Sequence, residues 1–296
     1  MKKLLCYLKE YKKESVLGPL FKLLEATLEL FVPLVVAAII DTGIGNQDRG
    51  YVVKMCLVLV LLGLIGLAFS VTAQYFAAKA AVGFVTTIRH VLFGHIQKLS
   101  YAELDTQGTS TLITRMTSDM NHVQNGVNLT LRLLLRSPFV VIGAMVMAFT
   151  INVKPALIFV VTVPRLALVI YGIMIVTIPL YKKVQKALDQ VLVSTRENLA
   201  GIRVIRAFCT QKKEQEEFDT KSEILMKLQF LTGRISALLN PMTYIIVNAG
   251  IIAVVWYGGG QVYEGLLTQG EVIALVNYMS QILLALVALA NLIVSF

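Results

Sequence analysis

The stretch 201–218, GIRVIRAFCTQKKEQEEF, carries the most specific chemistry in the chain. Gly201 makes a small-residue break. Alternating β-branched and cationic residues follow (Ile202, Arg203, Val204, Ile205, Arg206), then Ala207, Phe208 and a cluster of Lys and Glu. An apolar knob ringed by charge suits docking against another protein. It suits neither a lipid-facing helix, which would not carry this charge, nor a catalytic loop.

A second set of candidates is polar groups in apolar surroundings. Arg165 follows Pro164, and its helical neighbours Val161, Thr162, Leu168 and Val169 offer no counter-charge. An Arg deep in a bilayer costs on the order of 3 kcal/mol on insertion scales. It must face a wet cavity, hold an anionic substrate group, or pair with a carboxylate on another helix. Glu25 and Glu29, one turn apart on one face, are the carboxylates on offer, although Lys22 can pair with Glu25 locally. Asn248, Asn277 and Gln281 are further candidates for a substrate cavity, and such amides also bind helices to one another. Cys6, Cys56 and Cys209 lie far apart in no metal or redox spacing and read as packing residues. His90, His95 and His122 have no matching carboxylate or thiolate cluster, so no metal site is expected.

These residues need elements to carry them, and the composition says which kind. Of 296 residues, 56% are apolar and 15% charged, and the mean hydropathy is +0.73. A soluble domain of this size could not hide so much apolar surface, so the bilayer is its solvent. A crossing needs about 20 apolar residues, and six segments qualify: 16–40, 53–78, 133–151, 155–181, 235–257 and 272–296. Prolines recur within four of them (Pro33; Pro138; Pro164 and Pro179; Pro241), where they kink helices and free carbonyls. Residues 1–14 alternate apolar and lysine positions with no cleavage site, which reads as an interfacial elbow helix on the cytoplasmic leaflet.

The connections are asymmetric. Segments 41–52, 152–154 and 258–271 are short, whereas 79–132 and 182–234 are long. Of the 27 Lys and Arg residues, Arg49, Lys54 and Lys154 fall on or near one side and Arg165 within a span, and the other 23 fall on the opposite side or at its boundary. The positive-inside bias makes the N-terminus and both long connections cytoplasmic in a multi-pass protein of the cell membrane. The net charge of +9 therefore follows topology and anionic lipid, and no nucleic acid is implied. The long connections show helical stripes, Val85, Ile88, Leu92, Ile96 and Leu99, then Leu112, Met116, Met120, Val123, Val127, Leu131 and Leu134. About 20 such residues per helix reach roughly 30 Å from the membrane. Residues 105–111, DTQGTST, break the first hairpin at its tip, and Gly201 breaks the second. The fold class is thus all-α: six transmembrane helices with two long cytoplasmic helical hairpins.

Four local patterns resemble one family. They are FVPLVVAAIIDTGI at 31–44, LSYAELDTQGTSTLITRMTSDMNHV at 99–123, RENLAGIRVIRAF at 196–208 and GGGQVYEGLLTQGEV at 258–272. Together they resemble the six-helix transmembrane domain of ATP-binding-cassette exporters of the multidrug and lipid-exporter type, over residues 15–296. The first loop departs from the family's TGEL, reading QGTSTL, without the acidic position after the glycine. The resemblance implies that two short tip segments couple to a nucleotide-binding domain, Thr106, Gln107, Gly108 and Thr109 in the first loop and Arg203, Val204, Arg206, Ala207 and Phe208 in the second. It also implies pairing with a second transmembrane half, identical or related, and a cavity for an amphipathic substrate (drug, lipid, peptide or porphyrin-like). No GxxxxGK[ST] phosphate loop occurs in this sequence. No cofactor is therefore expected in this chain. ATP and Mg would belong to a nucleotide-binding domain in the same polypeptide or in a separate subunit, and a longer natural protein is the favoured explanation. A non-pumping ligand-binding module, either a sensor or a partner subunit, is the alternative. A secondary transporter would show inverted repeats with broken helices, and no convincing pair is present.

Overall fold

The computed structural model describes residues 4–294. Residues 1–3 of the expected elbow segment and 295–296 of the expected sixth span lie outside the described residues. The described elements are helical: a 3-10 turn at Leu4–Tyr11, α1 (Lys12–Ala38), α2 (Arg49–Ile96), α3 (Tyr101–Gln107), α4 (Thr109–Thr114), α5 (Met120–Leu129), α6 (Arg136–Ile151), α7 (Val153–Ala200), α8 (Ile202–Ala207), α9 (Gln211–Ala237), α10 (Leu239–Tyr263) and α11 (Gln269–Val294). Among the described residues, six helical stretches are long and apolar enough to cross a membrane: Cys6–Ile44, Arg49–Ile96, Thr109–Ile151, Val153–Ala200, Gln211–Tyr263 and Gln269–Ile293. The protein is a multi-pass membrane protein. α2 and α7 each run 48 residues, about 70 Å at 1.5 Å per residue, so more than half of each lies beyond a hydrocarbon core of about 30 Å.

Short connections are closed by side chains. Asp48 caps α2 by accepting from the Gly50 and Tyr51 N–H groups at 2.9 and 3.1 Å. Asn152 alone separates α6 from α7, and its side chain accepts from the Lys154 N–H at 3.0 Å. The turn before α11 has Gly265 at φ +74°, a conformation that glycine adopts without strain.

The chain forms two compact units, residues 1–161 with 250–296, and residues 162–249. In the first, α1 packs on α2 through small residues, with Gly18 against Ala73 and Ala77. Phe21 stacks on Phe76 at 6.1 Å and lies 5.8 Å from Phe69. Farther along α2, Phe84, Val85 and Ile88 are buried against Met120, Val123 and Val127 of α5, the returning arm of the hairpin. Of the apolar stripes expected of this hairpin, Val85, Ile88, Met120, Val123 and Val127 hold it together here, whereas Leu134 is exposed. Tyr7 and Leu8 of the N-terminal turn pack on the same cluster, and ties from Glu14 to Lys79 (3.1 Å) and from Thr87 to Glu10 (3.2 Å) fix that segment to α2. Two π turns, Arg115–Asp119 and Thr130–Leu134, flank α5 and re-phase its stripe. In the second unit the buried residues Leu166, Ile170, Met174 and Thr177 form a stripe on α7 at three- and four-residue steps.

Cys6, Cys56 and Cys209 are all exposed, which corrects the expectation that they pack. Cys56 sits in the apolar stretch of α2, where the residues a membrane would cover are exposed in the protein alone, and Cys209 lies in a tip turn.

Candidate functional site

The first hairpin tip is a discrete helix, α3, only seven residues long. Ser100 and Glu103 form a reciprocal capping box. The Ser100 hydroxyl accepts from the Glu103 N–H at 3.3 Å, and the Glu103 carboxylate accepts from the Ser100 N–H and hydroxyl, both at 2.8 Å. The Ser100 N–H, then its hydroxyl, hold the Glu103 carboxyl below the usual carboxylate range. Gly108, at φ +74°, ends α3, donates to the Leu104 carbonyl at 2.9 Å and leads straight into α4. The predicted coupling residues Thr106, Gln107, Gly108 and Thr109 thus occupy the exit of this helix. The Thr106 hydroxyl is spent on the Ala102 carbonyl at 2.7 Å. The body of α3, with Tyr101 89% exposed, was not among them. The Ser-x-x-Glu pattern at 100–103 is the signal that could have found it.

The second tip is α8, six residues between Gly201 and Phe208. The Gly201 N–H closes α7 on the Glu197 carbonyl at 2.8 Å, and the Thr210 N–H closes α8 on the Ile205 carbonyl at 3.0 Å, with Cys209 at φ +54° in the turn between. All five predicted residues, Arg203, Val204, Arg206, Ala207 and Phe208, are exposed on this single element. Val204 and Phe208 are 60% and 75% exposed, so the apolar knob is not used within the chain. The tips differ in charge. Glu103 and Asp105 make the first acidic, and Arg203 and Arg206 make the second cationic.

A seam of polar groups runs along α1 in the first unit. Lys22 donates to both Glu25 carboxylate oxygens at 2.7 and 2.6 Å and lies 3.5 Å from the Ser70 hydroxyl. Arg136 donates to Glu29 at 2.6 Å. The two carboxylates proposed as partners for Arg165 therefore pair with Lys22 and Arg136, because each has a cation within its own unit. Pro33 has no N–H, so it leaves the Glu29 carbonyl without its intrahelical donor. The Gln281 amide approaches that carbonyl at 3.4 Å, and the buried Tyr278 hydroxyl donates to the next one, Leu30, at 2.7 Å. At the far end of α1, Asp41 accepts from the Thr268 hydroxyl at 2.6 Å and from the Gly270 N–H at 2.8 Å. Asn277 is half-buried on α11. In the second unit Arg165 is exposed, and Asn248, also exposed, donates to the Tyr244 carbonyl at 2.9 Å.

The clasp joins the first and last of the four patterns, since Asp41 and Gly270 lie 229 positions apart. The family model described as the ABC transporter transmembrane region matches residues 15–286. The chain belongs to this family. Similar ABC-family proteins include an uncharacterized ABC transporter ATP-binding protein of Bacillus subtilis, 31% identical over 95% of this chain and 49% of that protein. One from Mycobacterium tuberculosis is 30% identical over 94% of this chain and 48% of its own length. An ATP-dependent lipid A-core flippase of Desulfotalea psychrophila is 29% identical over 66% of this chain and 34% of that protein. The chain spans about half the length of the curated relatives that match nearly all of it. For an ABC transmembrane region, the clasp, the ion pairs on α1 and the two exposed tips are the features whose chemistry is defined by this structure.

Proposed function

We propose that this chain is the permease domain of an ATP-driven exporter in the cell membrane, with the N-terminus and both hairpins cytoplasmic. The observation that carries this reading is the exposed knob of α8, where Val204 and Phe208 stand in water beside Arg203 and Arg206 at the end of a stiff hairpin. Exposed apolar surface rimmed by charge marks a protein-docking site. The partner is a nucleotide-binding domain, in the same polypeptide or in a separate subunit, and that domain holds ATP and Mg. Two transmembrane halves, identical or related, pair around a cavity for an amphipathic substrate. Motion of the docked domains is passed to the spans because α7 and α9 are long, continuous helices. Thr106, Gln107, Gly108 and Thr109 complete the docking surface on the first tip. Glu25, Glu29, Asn277 and Gln281 are the polar groups that the first unit would offer a substrate, and Asn248 and Arg165 those of the second.

The test is Arg206→Ala with Phe208→Ala in the whole transporter reconstituted in vesicles. The variant should keep basal ATP hydrolysis and lose its stimulation by substrate together with transport. Unchanged, substrate-stimulated turnover would sink the docking assignment.

A further inference from the structure

Within its own unit, residues 162–249, Arg165 has no carboxylate beside it. The two carboxylates expected to meet it are taken by other cations, Glu25 by Lys22 at 2.6 Å and Glu29 by Arg136 at 2.6 Å. Within residues 162–249 every Asp and Glu lies at 189 or beyond. The nearest along α7, Asp189, is about 36 Å away at 1.5 Å per residue. α10 carries no acidic residue at all between Leu239 and Tyr263. Arg165 is exposed, and so are the apolar side chains Val161, Leu168, Tyr171 and Ile175 around and beyond it on α7. A lone guanidinium beside apolar surface in a membrane span is unfavourable unless an anion or water meets it.

We propose that Arg165 is the recognition point for an oxyanion headgroup, phosphate or carboxylate, on an amphiphile whose tail lies against the exposed apolar side of α7. The guanidinium offers five N–H donors in a planar fork that matches two oxygens of such a group. A neutral hydroxyl headgroup can accept only an uncharged, single-oxygen bond, and a cationic one is repelled. The proposal rests on the exporter reading for the direction in which the ligand travels, and binding itself stands apart from it.

The experiment uses the transporter with its nucleotide-binding domain, in nanodiscs of phosphatidylcholine, with dodecyl phosphate and dodecanol as matched probes. Arg165→Gln should weaken dodecyl phosphate binding roughly tenfold to a hundredfold, the range expected for charge-assisted hydrogen bonds. Dodecanol binding should stay unchanged, and Arg165→Lys should retain much of the phosphate affinity. Equal losses for both probes, or no loss for either, would overturn the proposal. Added phosphatidylglycerol separates the sources. Competition with dodecyl phosphate in the wild type but not in Arg165→Gln supports the seat and names the membrane as supplier of the headgroup. Persistence of the wild-type preference without such competition supports it and names a free amphiphile. Transport and ATP hydrolysis distinguish the two readings. If phosphate discrimination holds but nucleotide drives no movement of either probe, the exporter reading fails and the anion seat stands. If dodecanol is pumped normally and discrimination is absent, the reverse is true.

Discussion

Replacing Gly270 by Ala should destabilise the protein, although alanine is the better helix former. Gly270 begins α11 where it crosses the end of α1, and its N–H donates to Asp41 at 2.8 Å. An added Cβ would lie 2.5 Å from the Ala37 carbonyl oxygen, 2.8 Å from the Ala37 Cα and 2.5 Å from the Asp41 carboxylate. Two of these neighbours are backbone of another helix and cannot rotate away, so α11 must back off. That retreat breaks the Gly270–Asp41 bond and lengthens the 2.6 Å Thr268–Asp41 bond. Hydrogen bonds to a charged acceptor contribute about 1.5–3 kcal/mol each. Thr268 is exposed, water can replace part of that, and the lower half of the range applies. Against a loss of about 2–3 kcal/mol, for one bond broken and one weakened, stands a helix-propensity gain of up to about 1 kcal/mol. The net expectation is a loss of about 1–3 kcal/mol.

Gly63→Ala is the control, because no heavy atom lies within 4 Å of a Cβ added there, and it should be neutral or stabilising. Both variants are measured by reversible denaturation in mixed micelles. If Gly270→Ala is as stable as Gly63→Ala, the close approach of α11 to α1 is wrong. Asp41→Asn should fall between them. Added to Gly270→Ala it should cost little more, since both remove the same clasp.

Three further outcomes are expected. Tyr278→Phe, which deletes only the hydroxyl that donates to Leu30 at 2.7 Å, should cost about 0.6–1.7 kcal/mol in the same assay, and no cost would mean the bond is not formed in the membrane. Glu29→Leu alone should be more harmful than Glu29→Leu with Arg136→Met, because the single change strands a half-buried guanidinium; equal stabilities would show the pair to be independent. The Glu103 carboxyl is depressed on folding, so its capping contribution is fully present above its ordinary value of 4.5 and is lost as pH falls through the lower folded value. Backbone amides of α3 should therefore exchange faster in acid than those of α8, and Glu103→Gln should remove that difference.

What the sequence revealed depended on the range of the interaction. The hairpins were legible because Val85 and Ile88, and Met120, Val123 and Val127, repeat at helical spacing and meet as neighbours across one turn of chain. Lys22 and Glu25 were legible for the same reason, being three residues apart on one helix. Arg136 and Glu29 were not, because 107 positions separate them and nothing local marks α6 as the neighbour of α1. Pro33 announced a free carbonyl but could not say that Gln281, 252 positions beyond Glu29, would reach it. The start of α3 was written plainly as Ser100-x-x-Glu103. The turn-forming run 105–111 with Gly108 masks it, because α3 is so short that its start and its end fall within one loop-like stretch.

Satisfaction of polar groups differs between the two media, and the difference points outward. Along α1 the low-dielectric surroundings make each unmet charge or carbonyl costly, and Glu25, Glu29 and the Leu30 carbonyl all have partners within the first unit. Two kinds of group escape that rule. Val204 and Phe208 are apolar side chains left in water, and Arg165 is a charge left among apolar side chains. Each is unfavourable in the isolated chain for the opposite reason, so no single rearrangement of this chain relieves both. On the reading proposed above, the knob takes a protein surface and the guanidinium an anion. A domain docked at α8 would leave Arg165 as it stands, and a headgroup at Arg165 would leave Phe208 in water. Double replacement of Arg206 and Phe208 should therefore abolish coupling with dodecyl phosphate affinity intact, whereas Arg165→Gln should do the converse.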